Sequence, residues 1–446
     1  MPWRNPRKLL WACSGLDLVA VLASLAVINC HVEPDLWHPP HVVLGVGFLY
    51  CLYAWLFGAY TLLRWPWLKL RLVMQRLLFT AIATMLTMVV SGWLFGVDAE
   101  ELSLLNRSVL LEWLSLQTAL ALASRLLLRW ISRTSTRPLW QLVAAPEHQR
   151  EVIREWQRNP FVRPPRLLTP SKFEPSLAVE QVSRGRAVGL ALAPNIPSSE
   201  SWSLALEALR ARGVMVTTLE ELAQRQLERL PPSLLPERWL SMPDLPWSNE
   251  FSLQRKIKRT ADVLFSMPLL VIALPLMACL GLAIWLEDRG PVFYVQSRTG
   301  WCGRPFQLYK LRTMRCVKPG MPTPWTSKND ARVTRVGAWL RRTRLDELPQ
   351  LINVLRGEMS LIGPRPEQPQ MDDQLAAKIP HYLKRYWMLP GLSGWAQVCG
   401  PAYPATLEES ELKLSYDLYY IRNWTLQLDF LIFAKTFKTL LKFRGV

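Results

Sequence analysis

Several kinds of site are missing from the sequence. It contains no C-x-x-C pair, no His and Cys spacing typical of zinc, and no G-x-G-x-x-G turn after an apolar strand. The 5 His and 7 Cys are scattered along the chain. We therefore predict neither a structural zinc site nor a disulfide framework, and interpret the cysteines as packed thiols in a reducing compartment.

Acidic residues are scarce beside basic ones. The 446 residues include 53 Lys and Arg against 35 Asp and Glu, a net charge of +18, and half of them are hydrophobic. Nucleic acid, an anionic membrane surface and phosphate-bearing substrates all suit such a charge, and charge by itself does not choose among them. The apolar content, with 21 Trp, indicates a chain partly solvated by lipid.

Four long apolar runs occupy the first third of the chain, at residues 9–30, 42–63, 77–96 and 109–128. Each approaches the roughly 20 residues that a helix needs to cross a membrane, so we predict a four-helix transmembrane bundle over residues 1–130. Lys and Arg cluster before the first run, after the second and after the fourth. By the positive-inside rule both ends of the bundle face the cytoplasm, which predicts a multi-pass protein of the inner membrane.

Three charged residues, Asp17, Glu112 and Arg125, lie within or near the predicted spans. A charge inside a membrane is costly and often functional. We interpret these three as side chains at helix ends or paired within the bundle, rather than as a proton relay.

Residues 131–230 are soluble in character. Apolar runs at 139–144, 187–192 and 214–217 predict strands and 203–212 predicts a helix, which indicates a small α/β domain. The first run leads into Ala144, Ala145 and Pro146, without the glycines that allow a backbone to approach a phosphate closely. We therefore predict a degenerate nucleotide-binding-like domain with a structural or regulatory role. The proline-rich stretch 231–255 predicts a linker.

Residues 263–286 form a fifth apolar run, and basic residues both precede and follow it. A full crossing would leave strong positive charge on both sides of the membrane. Pro275 lies near the middle of the run and favours a sharp bend. We predict a re-entrant helix over about residues 256–289 that dips into one leaflet and returns. A kinked helix that spans the bilayer is the alternative.

The stretch after Gly290 is polar and basic and contains two adjacent carboxylates, Asp346 and Glu347. Neighbouring side chains on a helix point about 100° apart, so one carboxylate can attack phosphorus while the other holds a metal ion. An isolated Asp-Glu pair, however, is more often a solvated helix start. Basic side chains at this density suit phosphate oxygens. They are Lys310, Arg312, Arg332, Arg335, Arg341, Arg342, Arg344 and Arg365.

The chain from residue 258 to 441 closely resembles the bacterial sugar transferase family, also called the monotopic phosphoglycosyl transferases. The motifs GPVF, KLRTM, LDELPQ, GPRPE and PGLSGWAQV follow Lys258-Arg259 and Asp262 in the order of the family. The re-entrant helix of the family breaks at a Ser-Pro pair. This chain has Leu274-Pro275 there, so the proline survives without the serine hydroxyl.

The resemblance implies a role for individual residues. Asp346 would be the nucleophile that takes the phosphosugar, and Glu347 would bind Mg²⁺. Lys310, Arg341 and Arg365 would contact phosphates, and we add Arg312 of the same basic motif as a further phosphate-binding candidate.

The activity implied is transfer of a sugar 1-phosphate from a UDP-sugar to undecaprenyl phosphate, with release of UMP, at the start of an extracellular polysaccharide. A mostly α-helical catalytic domain at 256–446 would face the cytoplasm, and the front of the chain resembles that of long family members. No nucleic-acid-binding module is recognisable, and the sugar and any homo-oligomer stay open. The alternative is a non-catalytic membrane scaffold that binds anionic lipid and senses a ligand through the α/β domain.

Overall fold

The structure is a computed structural model. It describes residues 4–31, 40–60, 70–94, 107–134, 139–159, 162–184, 187–194, 200–245, 252–315, 330, 332–401, 404 and 406–440. The chain divides into two compact units. The first comprises residues 1–139 with 159–163 and 180–188, and the second comprises 140–158, 164–179 and 189–446.

Four long helices make up most of the described part of the first unit. They are α1 (Arg4–His31), α2 (Pro40–Leu56), α3 (Leu70–Leu94) and α4 (Arg107–Thr134). Apolar side chains such as Val21, Tyr50 and Trp113 pack between them. Within α3, Val73–Gly92 is long and apolar enough to cross a membrane, whereas Ser14–Ile28 and Leu44–Leu56 are shorter apolar stretches. The prediction of four spans therefore stays a prediction.

Two of the three charged residues of this unit are partners. The Arg125 guanidinium donates to both carboxylate oxygens of Asp17, with 2.6 Å between Nη2 and Oδ2, and both side chains are buried. The Glu112 side chain is exposed. The ion pair therefore links α1 to α4. Removing either partner would leave an uncompensated buried charge.

An α/β module follows along the chain, and most of its residues belong to the second unit. Its elements are β1 (Leu139–Val143), α5 (Pro146–Gln157), β2 (Arg166–Leu168), α6 (Pro175–Ser183), β3 (Ala187–Leu192), α7 (Glu200–Ala211), β4 (Met215–Thr218) and α8 (Leu219–Leu227). The sheet has the order β2-β1-β3-β4, with parallel pairing of β1 with β2 and of β3 with β4. The three predicted strands are present. The short β2 was not predicted, because three residues between prolines carry no readable alternation.

The segment predicted as a linker is packed over its described part. Leu235, Trp239 and Leu245 share one hydrophobic core with Tyr382 and Leu418, far along the chain. Two 3-10 turns, Pro232–Leu234 and Met242–Asp244, shape this segment. The prolines therefore set a folded path here rather than an extended spacer.

The remaining elements of the second unit begin with one long helix, α9 (Leu253–Asp288). They are β5 (Phe293–Thr299), β6 (Pro305–Leu311), α10 (Arg335–Thr343), α11 (Gln350–Arg356), β7 (Ser360–Ile362), α12 (Pro369–Ala376), β8 (Gly391–Ser393), α13 (Trp395–Cys399), α14 (Leu407–Arg422) and α15 (Leu426–Leu440). Strands β5 and β6 form an antiparallel hairpin, and β7 pairs with β8 in parallel.

Helix α9 has one face against protein and one face of exposed apolar side chains. The buried positions are Lys258, Asp262, Ser266, Ala273, Met277, Leu280, Gly281 and Ile284. The opposite face includes Phe265, Ile272 and Leu282, which are 59%, 73% and 56% exposed. A helix with such a face is solvated by lipid more readily than by water, which indicates a membrane protein.

Both halves of α9 pack on later parts of the chain, the first half on α11 and β7 and the second half on β6 and α10. Near its start, Arg259 Nη2 donates to the Leu355 carbonyl at 2.6 Å, and Asp262 Oδ1 accepts from the Leu361 amide at 3.0 Å. Near its end, Leu280 and Ile284 pack with residues of β6 and α10. The helix continues through Pro275 without interruption, so the predicted reversal at this proline stays a prediction.

Candidate active site

The Asp346-Glu347 pair lies in a 3-10 turn, Leu345–Glu347, between α10 and α11. Helix α10 begins at a Thr334 cap, whose Oγ1 accepts from the Gly337 amide at 2.9 Å, and ends at Arg344 in the left-handed conformation with φ of 58°. This left-handed residue ends the helix and turns the chain into the 3-10 segment. The two carboxylates therefore stand on a tight turn and not in a regular helix.

Two leucines flank the pair and fix it to the apolar helix. Leu345 packs in the cluster of Leu280 and Ile284, and Leu348 packs in the cluster of Ala273 and Met277. The turn is thereby attached to α9 at two places, one on each side of the carboxylates. The pair lies directly against the middle part of the helix whose far face is apolar and exposed.

Glu347 is buried, at 8% exposure, between two cations from different elements. Lys310 Nζ, on β6, lies 3.3 Å from Glu347 Oε1, and Arg365 Nη2, in the GPRPE loop, lies 2.6 Å from the same oxygen. Burial opposes ionisation, but the charges of Arg365 and Lys310 outweigh it and hold the pKa of Glu347 well below its usual range. Glu347 is thus a fixed carboxylate at neutral pH.

Asp346 has the opposite tendency although it adjoins Glu347. Burial, followed by the negative charge of Glu347, raises the pKa of Asp346 to about 6. The charges of Lys310, Arg365 and Arg341 act against this rise. The two neighbouring carboxyls therefore differ, one held ionised by ion pairs and the other closer to neutrality, which is a pattern common at reacting centres.

The structure brings most of the predicted residues together, with one clear exception. Arg341 lies at the end of α10, its Nε donating at 2.9 Å to Oγ1 of Thr313, which belongs to the KLRTM motif. Arg312 is bound elsewhere. Its Nη1 lies 2.6 Å from Asp288 Oδ2 at the end of α9, and its Nε donates to the Pro291 carbonyl. This bidentate contact gives Arg312 a structural role, and its predicted contact with phosphate stays a prediction.

Backbones approach each other closely beneath Arg365. A Cβ atom on Gly363 would collide with the Leu389 carbonyl, and one on Gly391 or Gly394 would collide with Gly363. Here β7 pairs with β8, with Ile362 opposite Ser393. The glycines of GPRPE and PGLSGW therefore allow the backbones around β7 and β8 to approach closely. This contact fixes the point at which the loop that carries Arg365 begins.

The model of the bacterial sugar transferase family matches residues 253–443. The exopolysaccharide production protein PSS of Rhizobium leguminosarum is 36% identical over 200 residues, which cover 98% of that protein and 42% of this chain. The chain belongs to the bacterial sugar transferase family.

Two other relatives of the family carry more specific names. The UDP-glucose:undecaprenyl-phosphate glucose-1-phosphate transferase of Caulobacter vibrioides is 45% identical, over 41% of this chain and 69% of that protein. The UDP-N-acetylgalactosamine-undecaprenyl-phosphate N-acetylgalactosaminephosphotransferase of Aeromonas hydrophila is 44% identical, over 42% of this chain and 44% of that protein. The chain thus spans under half the length of this last relative, and the matches fall on its second half.

The donor set of this family member fits a magnesium ion held mainly by its substrate. Among the residues that the structure describes, no group of three or more His, Cys, Asp or Glu side chains could hold a metal. Mg²⁺ is commonly bound through one or two carboxylates with phosphate oxygens and water completing its shell. Asp346 and Glu347 supply such carboxylates, and Glu347 stays ionised to lower pH than Asp346.

Sequence reasoning missed a buried charge network under the GPRPE loop. Glu367 Oε1 contacts Lys413 of α14, and Arg385 Nη2 lies 2.9 Å from Asp417 Oδ2. Arg298 of β5 reaches the same loop, 3.7 Å from Glu367 Oε2. A signal was present in the sequence, since Lys413 and Asp417 stand four residues apart among apolar positions of α14 and so lie on its buried face.

Replacing Arg312 tests the structural role of its side chain. Arg312→Gln should lower the free energy of unfolding by about 1–3 kcal/mol, because it leaves the Asp288 carboxylate and the Pro291 carbonyl without a close-fitting donor. Thermal denaturation in detergent measures this change. Arg342→Gln, on the exposed side of α10, is the matched control and should stay within about 0.5 kcal/mol of the parent. Equal stability of the two variants would contradict a structural role for Arg312.

Proposed function

We propose that the chain transfers a sugar 1-phosphate from a UDP-sugar to undecaprenyl phosphate through an aspartyl-phosphosugar intermediate. The observation that carries the proposal is the position of the carboxylate pair. It is buried, faces Lys310 and Arg365, and is attached through Leu345 and Leu348 to a helix with an exposed apolar face. Such a site suits a reaction between an anionic nucleotide and a phosphate carried by a lipid.

In the first step an Asp346 carboxylate oxygen attacks the β-phosphorus of the donor. The bond from that phosphorus to the bridging oxygen breaks, and UMP leaves with the electron pair. In the second step an oxygen of undecaprenyl phosphate attacks the same phosphorus, and the Asp346 carboxylate departs. Two displacements with a covalent intermediate replace one difficult direct transfer.

Lys310, Arg365 and Arg341 would stabilise charge on the transferring group. Their placement is fixed by β6, the GPRPE loop and α10, so little reorganisation is needed when charge develops. Lys310 and Arg365 now neutralise Glu347, and donor phosphates would draw on the same two cations. A Mg²⁺ ion held by Glu347 would add positive charge on the phosphate oxygens of the donor.

The packing of α9 supports a membrane helix with both ends on one side. Arg259 near its start and Ile284 near its end both contact the domain that contains Asp346. This favours the catalytic domain lying on the cytoplasmic face, where nucleotide sugars are made, with α9 entering one leaflet.

Replacing the nucleophile tests the reaction directly. Asp346→Asn should abolish the covalent phosphosugar adduct seen by intact mass and lower UMP release by about 10³-fold or more, because an amide is a poor nucleophile. The assay supplies undecaprenyl phosphate and a panel of UDP-sugars, since the named relatives differ in their sugar. Retained UMP release in this variant would contradict the proposed nucleophile.

Two controls accompany this assay. Asp373→Asn removes a carboxylate from α12, outside the site, and should leave the adduct intact. Addition of EDTA to the parent enzyme should stop UMP release, and excess Mg²⁺ should restore it. Unchanged release in EDTA would argue against the metal.

The topology has its own test. Single cysteines at Leu253 and Arg289, which lie at the two ends of α9, should both react with a membrane-impermeant maleimide from the cytoplasmic side of membrane vesicles. The parent for this experiment is a variant without its native cysteines. A helix that crosses the membrane would expose the two positions on opposite sides, and labelling of only one from each side would overturn the re-entrant arrangement.

A further inference from the structure

Helix α14 lies between the reacting site and the α/β module, and its two faces contact different partners. On one face Lys413 and Asp417 are buried at 4% and 1% exposure. On other sides α14 contacts residues of α5, of α8 and of the segment after α8. No residue of α14 belongs to the reacting pair or its cations, and the proposed reaction leaves both α14 and the module without a role.

The buried face of α14 holds the loop that carries Arg365. Lys413 Nζ contacts the Glu367 carboxylate, two residues after Arg365. Asp417 holds Arg385, whose Nη2 also donates to the Arg365 carbonyl oxygen at 2.9 Å. The loop is therefore held through its backbone and through a side chain, and both contacts lead back to α14.

The network is buried enough for its charges to matter. Burial opposes the ionisation of Glu367, but the charges of Lys413 and Arg385 outweigh it and keep the pKa of Glu367 well below its usual range. Arg385 is 2% exposed. Removal of one member would leave its partner as a buried, uncompensated charge, and the loop would shift to relieve it.

The other sides of α14 are held by the α/β module and the segment after it. Arg422 Nε lies 3.0 Å from Glu220 Oε1 of α8, and Gln224 of α8 donates to the Asn423 side chain. The Leu230 amide donates to the Ser415 carbonyl at 2.8 Å.

The first turns of α14 meet α5 as well. Arg158 lies 3.6 Å from Glu408 and 3.8 Å from Glu411, and Arg158 also pairs with Glu155. Glu155 in turn forms a buried ion pair with Arg229, which belongs to the segment after α8. The module thus holds α14 near both of its ends, so a change in the module can displace the helix as a body.

We propose that α14 is a positioning helix: Lys413 and Asp417 set the place of Arg365, and the α/β module sets the place of α14. The proposal rests on the proposed function, because Arg365 is assigned there to the donor phosphates. It gives the module a task that needs no nucleotide of its own, in accord with the missing glycine turn. Any ligand or partner of the module would then act on the rate of phosphosugar transfer.

Lys413→Met, made in the full chain, tests whether the buried face of α14 positions Arg365. We expect about a tenfold fall in kcat/KM for UMP release, and less than a twofold further fall when Arg365 is already Lys. Lys413→Arg keeps the charge and should recover most of the rate. A tenfold fall that persists in the Arg365→Lys background, or no fall at all, would overturn the positioning role.

Hydrogen exchange separates this outcome from failure of the proposed function. The segment 359–373 should exchange faster in Lys413→Met, while β5 and α11 keep their protection. This readout does not depend on turnover. An unchanged segment would refute the positioning role even with an active enzyme, and a faster one would support it even if no UDP-sugar were turned over.

Exchanging the charges of Glu220 and Arg422 tests whether the α/β module positions α14. Glu220→Arg should oppose Arg422, lower kcat by about threefold to tenfold and speed exchange in residues 359–373. The double variant Glu220→Arg with Arg422→Glu should restore both readouts. Glu207→Arg makes the same charge change at an exposed position of α7 and serves as the control. Loss of activity in the control as well, or no rescue in the double variant, would contradict the proposal that the α/β module positions α14.

Discussion

The packing of Leu345 and Leu348 on α9 is the contact on which the site depends. These side chains lie on either side of the carboxylate pair and enter two different apolar clusters of one helix. Both leucines are partly buried, so each contributes part of the roughly 1.5–3 kcal/mol that full burial of such a side chain supplies, and together they hold a turn that has no long helix of its own. Because of this contact the polar turn is held against the side of α9 opposite its exposed apolar face.

Charge then divides the work of two adjacent carboxyls. Glu347 takes both cations, and Asp346 is left with a raised pKa and the smaller share of their field. The ionised state of Glu347 comes from residues about 20 to 40 positions away, brought together by β6 and by the glycine contact beneath the GPRPE loop. The raised pKa of Asp346 comes from burial and from the charge of Glu347 beside it. The site is therefore as rigid as the elements that supply its cations.

Sequence reasoning found the parts whose identity is carried by motifs. Asp346, Glu347, Lys310 and Arg365 were predicted together and lie together, and the three longer strands of the module were located by their apolar runs. The ion pair of Arg312 was not predicted, because a motif does not reveal that the side chain contacts Asp288, the last residue of α9. The Glu367 network was missed, since it depends on the burial of α14 against a segment that prolines made look like a linker. The predicted bend at Pro275 stays a prediction, since the helix continues through this residue.

The exposed face of α9 also determines how concentration must be counted for this enzyme. Under the proposed function, in which Phe265, Ile272 and Leu282 lie in lipid and the acceptor is undecaprenyl phosphate, the protein and the acceptor share a plane, and their encounters depend on molecules per unit of membrane area. Extra detergent or neutral lipid then dilutes the acceptor without changing its amount in the tube. An apparent KM for the acceptor is therefore a mole fraction, and values from micelles, nanodiscs and native membranes become comparable only when expressed in that unit.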